Sequence, residues 1–133
     1  MKRALIAQSI AAFALCAAAS AQAQVVVMNA SAAPLTADQV SNIFLGRSPD
    51  FKPVDLPESN AVRATFYKKA TDRDVAQVKA VWSRLVFSGK ATPPTEVADA
   101  AAVKAAVKAD PKAIGYIDKS AVDGSVKVVH SFE

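Results

Sequence analysis

Apolar positions recur along this chain with two periods, one of strands and one of helices. The run "QVVVMN" (Gln24–Asn29) is β-branched and ends in an Ala/Ser/Pro stretch, so it predicts a buried strand. In "LTADQVSNIFLGR", Val40, Ile43 and Phe44 fall at helical spacing. Thr36 with Gln39 makes a capping box ahead of them, and Gly46 sits where a helix would stop. After the polar loop "SPDFKP", Pro53–Asp55 reads as a short strand with Val54 inward. A second helix follows over about Ala61–Ala70, with Val62, Phe66 and Ala70 on its inner face. The third helix carries Val75, Val78, Trp82, Leu85 and Val86 as one stripe, with Asp72 and Asp74 at its start and Gly89 at its end. "KATPPTEV" is a loop whose two prolines exclude a helix. "ADAAAVKAAVKAD" is a fourth helix, presenting Val103 and Val107 and stopped at Pro111. "AIGYID" and "SVKVVHSF" are strands, with Asp123–Gly124 as the turn between them. This order predicts one α/β layer: a small mixed sheet of about four to five strands flanked by about four helices.

The first 23 residues stand apart from that pattern. Lys2 and Arg3, the apolar "ALIAQSIAAFALCAAA" and the small-residue site Ala21-Gln22-Ala23 have the three parts of a secretory signal. The expectation is a signal peptide over 1–23, a single domain over 24–133, a periplasmic location and no membrane insertion after cleavage. Cys16 is the only cysteine, and Leu15 before it does not suit a lipid-anchoring site. A chain cut after Ala23 holds no thiol, so a hydrophobic core must stabilise it. Loss of Lys2 and Arg3 lowers the formal net charge of +4 by two, which leaves little basis for a nucleic-acid face.

The residues supply little catalytic chemistry. His130 is the only histidine and sits near the C-terminus, no G-x-S-x-G elbow is present, and "SGKA" lacks both the first glycine and the Ser/Thr of a phosphate loop. No metal-ligand spacing occurs, so neither an enzyme, a cofactor nor a metal is expected. His130 reads as a surface residue. Lys68, Lys69, Lys79, Arg84, Lys104 and Lys108 lie opposite the apolar stripes and read as a solvated face.

Four segments, "LTADQVSNIFLGR", "PVDLPESNAVRATF", "VWSRLVFSGK" and "PKAIGYID", stand in an order that resembles the substrate-binding proteins of phosphate ABC transporters. The closer likeness is to short, phosphate-binding-protein-like domain proteins of bacterial periplasms. The resemblance covers nearly all of residues 24–118. It implies a type 2 periplasmic binding protein fold, of which a chain this long makes a single lobe, whereas full-length members close two lobes on an anion. The family's phosphate-contacting turn reads S-G-T at a helix N-terminus, often with a basic residue next. Aligned on Phe66, those positions hold Asn60, Ala61 and Val62, followed by Arg63, with Ser59 just before. Two hydroxyls are missing. At about 1.5–3 kcal/mol for each charge-assisted bond, their loss implies roughly a hundredfold weaker affinity or more.

Two readings follow. In the first, a small oxyanion such as phosphate is held at Ser59, Asn60, Ala61, Val62 and Arg63, in a cleft shared by a homodimer or with an ABC permease as partner. In the second, the lobe is an interaction scaffold for another envelope protein. The turn is then an Asn/Ser-capped helix start, with Arg63 in solvent.

Overall fold

A computed structural model describes residues 23–132. The leader assigned to residues 1–23 therefore falls, all but Ala23, outside the described residues. The elements run β1 (Gln24–Met28), α1 (Ala37–Phe44), β2 (Lys52–Asp55), α2 (Ala61–Thr71), α3 (Val75–Phe87), β3 (Thr95–Glu96), α4 (Ala100–Ala109), β4 (Ala113–Asp118) and β5 (Lys127–Phe132), with a 3-10 turn at Lys119–Ala121 before β5. The sheet order is β3-β2-β4-β1-β5. β2 runs parallel to β3 and to β4, while β1 is antiparallel to both β4 and β5. This is the mixed α/β sheet with four helices that the hydrophobic pattern predicts.

Local chemistry explains the helix limits. Thr36 and Gln39 exchange bonds of 3.2 and 2.8 Å across the first turn of α1, and Asp74 and Gln77 do the same for α3 at 2.9 and 3.0 Å. Asp99 accepts from the Ala102 amide to start α4. Gly46 and Gly89 end α1 and α3 with φ of 76° and 73°, a conformation that costs glycine little. Asp72 does not start α3; it ends α2 in the left-handed region at φ 56°.

The core has two sides. Gly115 and Tyr116 are neighbours on β4 and so face opposite ways. Phe66 of α2 stacks on Tyr116 with centroids 4.0 Å apart, and Phe44 of α1 meets Phe66 edge-on at 4.9 Å. On the other face α4 lies so close that a β-carbon on Gly115 would stand 2.5 Å from a Val103 methyl. The Trp82 indole N–H donates to the Phe44 carbonyl at 2.8 Å and fastens α3 to the end of α1.

Five further sequence expectations need correction. The loop after α3 contains the two-residue strand β3, which adds to the β2 edge and is extended by the Val97 amide bonding the Asp55 carbonyl at 2.9 Å. Asp123–Gly124 does not close a hairpin, because β1 lies between β4 and β5. The Asp123 carboxylate instead bonds the Ser125 amide and hydroxyl in a local turn. The inner face of α2 is Arg63, Phe66 and Tyr67, rotated from the expected Val62, Phe66 and Ala70. Lys104 is not solvated; its ammonium donates to the Ala121 carbonyl and to Asp123 at 3.0 and 2.9 Å. His130 is half-buried, with Nδ1 3.1 Å from the Leu35 carbonyl oxygen and its ring against Phe132.

The contact at Gly115 yields a test. Gly115→Ala is expected to cost about 1–3 kcal/mol in urea unfolding, as overpacking does, and Val103→Ala on top of it should cost less than the two changes summed. Strict additivity would disprove the contact.

Candidate functional site

Strand β2 ends in Asp55 because its neighbours demand it. Val54 lies beside Gly115 on the α4 face, so Asp55, the next residue, turns its carboxylate to the covered α2 face, where it is 4% exposed. A charge placed there must find partners. Tyr67 on α2 donates its hydroxyl to Oδ2 at 2.8 Å, and Tyr116 on β4 donates to Oδ1. The Leu56 amide bonds Oδ1 at 3.0 Å and the Tyr116 oxygen at 3.2 Å. Arg63, in the first turn of α2, brings Nη2 to 3.6 Å from Oδ2 and donates from Nη1 to the Leu56 carbonyl at 2.9 Å. The same Nη1 lies 3.6 Å from Glu96 on β3. Two strands and one helix thus converge on one carboxylate, and β3 joins through Glu96 on Arg63.

Burial pushes the Asp55 carboxyl above its ordinary value, against the lowering pull of the Tyr116 and Tyr67 hydroxyls, Arg63 and the Leu56 amide. Burial and the neighbouring carboxylate push both tyrosines up as well, so they stay protonated as donors.

Asp55 and Arg63 form part of the wall of an open crevice of about 570 Å³ between α2, α3 and β3. Its charged groups are completed by Glu58, Glu96 and Lys79, Ser83 adds a hydroxyl, and its apolar side comprises Val78, Trp82, Val86, Phe87 and the Pro93–Pro94 pair. Lys79 and Glu58 are ion-paired at 2.6 Å, which draws the Glu58 carboxyl down. Three carboxylates therefore face two cations. Val86 and Phe87 are 42% and 96% exposed, so the α3 stripe read from the sequence runs out of the core at its last turn.

Of the five residues expected at an anion site, only Arg63 lines this crevice. Ser59 and Ala61 are exposed and Val62 is half-buried against the core. Asn60 caps its own helix, accepting from the Val62 amide at 3.0 Å. The Asn60 and Arg63 amides are also spent within the turn, on the Pro57 and Asn60 carbonyls. Arg63 is not in solvent, as the helix-cap reading had it; it is 9% exposed and turned inward. Sequence reasoning missed Tyr67, Tyr116 and Glu96. One signal was available: an aspartate between two inward-facing apolar residues at a strand end needs donors, and "FY" and "GYID" offer them. Among the described residues no group of three His, Cys, Asp or Glu side chains is placed to hold a metal ion. Nor is any helix among them long and apolar enough to cross a membrane.

Two outcomes test the cluster. Tyr67→Phe is expected to cost about 1.5–3 kcal/mol in urea unfolding, the usual loss of a bond to a charged group. Because the folded state binds the Asp55 proton more tightly than the unfolded chain, its contribution to stability is present in full below about pH 3.8. It is lost as pH rises through the raised folded value. The stability difference between the native chain and Asp55→Asn should therefore fall from acid toward neutral pH; a difference independent of pH would exclude the shift.

No protein-family model matches the chain, and no curated protein matches it either. Solved structures do. An ABC-type phosphate transport receptor from Vibrio cholerae superposes with a TM-score of 0.64 at 20% identity, over 82% of this chain and 46% of the receptor. A phosphate ABC transporter substrate-binding protein with bound phosphate from Clostridium perfringens gives 0.65 at 18%, over 81% and 44%. The chain spans less than half the length of either. What it shares with them is a fold, that of a periplasmic-binding-protein lobe.

Proposed function

We propose that this chain is an exported, periplasmic solute-binding lobe, cut after Ala23, that holds a small oxyanion against Arg63 and serves ABC-type phosphate uptake. Phosphate is the candidate ligand. The observation that carries the reading is the Arg63 guanidinium, a cation nine-tenths buried in a crevice wall of a fold shared with phosphate receptors. Its neighbours temper it. Asp55, Glu58 and Glu96 outnumber Arg63 and Lys79 by one, so binding is weak and sensitive to salt.

A second reading is an interaction lobe whose partner is another envelope protein. It is favoured by Phe87, which stands almost wholly exposed beside Val86 on the crevice rim, an arrangement that a partner surface would cover.

Calorimetric titration of residues 24–133 with phosphate at low ionic strength separates them. Glu96→Gln removes an exposed carboxylate 3.6 Å from Arg63 and is expected to tighten phosphate by about fivefold, near 1 kcal/mol. No heat up to millimolar phosphate in either protein would eliminate phosphate as the ligand. An envelope partner captured by the native chain and lost in Phe87→Ser would then support the interaction lobe.

A further inference from the structure

Gln24, the first residue of β1, is fully buried at 0% exposure. Both side-chain amide atoms, Nε2 and Oε1, lie buried without a hydrogen-bond partner. Native structures rarely leave a whole primary amide in that state, because each unmatched group forfeits its hydration. The neighbours do not relieve it. Gln24 is flanked by Asp118 on β4 and Phe132 on β5. Asp118 Oδ1 accepts from the Ser120 amide and hydroxyl, neither oxygen of Asp118 bonds the Gln24 amide, and Phe132 offers only a ring that packs on Phe66.

The problem changes if Gln24 begins the chain. Cleavage after Ala23, which this inference takes from the export reading above, leaves a free α-amine on Gln24. Such a group is mostly protonated at neutral pH and would set a charge at the start of β1, beside the buried side chain. We propose that Gln24 is a modification site, closing to an N-terminal pyroglutamate. The deprotonated α-nitrogen attacks Cδ of its own side chain, a C–N bond forms to give a five-membered lactam, and the Cδ–Nε2 bond breaks. Ammonia departs and leaves as ammonium, carrying away the charge, and no oxidant or second reactant is needed. One reaction removes the buried amide nitrogen and the terminal charge, and the former Oε1 becomes the lactam carbonyl oxygen. The reacting atoms belong to one residue, so closure needs no second group from the fold. Removal of Ala23 also takes the acceptor of the Lys119 amide, but Lys119 is exposed and water replaces it.

The test is an intact-mass measurement on full-length protein expressed with its own leader and freshly extracted from the envelope, followed by N-terminal sequencing and analysis of the tryptic peptide Gln24–Arg47. The expected chain starts at Gln24, is lighter by one ammonia, and is blocked to sequencing. A chain that starts at Gln24 with a free amine overturns the modification and leaves the export reading intact. A chain with its leader attached, or starting elsewhere, overturns the cleavage and the modification together. Gln24→Asn, one methylene too short to form the five-membered ring, is expected to sequence freely; a blocked N-terminus in that variant would assign the block to other chemistry and overturn the proposal.

Discussion

One buried carboxylate organises this protein. Asp55 is carried inward by the strand it ends, and the interior answers with two tyrosine hydroxyls, a backbone amide and a guanidinium. Breaking such a set leaves a charge without partners, which costs more than the set gains over an apolar core. The cluster therefore acts as a specification. It holds β2, α2 and β4 in one relation, and with them the wall of the crevice. It also governs what the wall can do, because the arginine that would greet an anion is already engaged on the Leu56 carbonyl and between two carboxylates.

The strands and helices were legible in the sequence because their signals are local. Thr36 with Gln39, Gly46, Gly89 and the Val103–Val107 spacing each fix an element without reference to anything distant. The errors came where a distant partner decides. The inner face of α2 turns to Tyr67 because Asp55 and the rings of Phe44 and Tyr116 lie beneath it, and nothing within the helix announces them. Asp123–Gly124 looks like a hairpin turn, yet β1 from the far end of the chain occupies the place between β4 and β5. The candidate site divided along the same line. Arg63 was legible as a basic residue in a helix's first turn, but its inward course depends on the Leu56 carbonyl, Asp55 and Glu96.

The likeness to phosphate receptors covers under half of each of them, and this colours the crevice. Its charged groups and its apolar rim stand together on one open side, with Phe87 the most exposed large apolar residue described. A rim of that character suits contact with a second surface. The two functional readings differ only in whether that surface closes over a small ion or is itself the thing bound.

The place of β1 in the sheet has a consequence for how the chain comes into being. Its ladder partners are β4 and β5, the last two strands to be made. Until residues near Phe132 are available, β1 has one edge unsatisfied and the sheet is incomplete. Long-range pairing of this kind is slow to nucleate, since loop-closure entropy is spent before the contacts return it. The strand order itself therefore delays closure of the sheet until β5 is available to pair with β1.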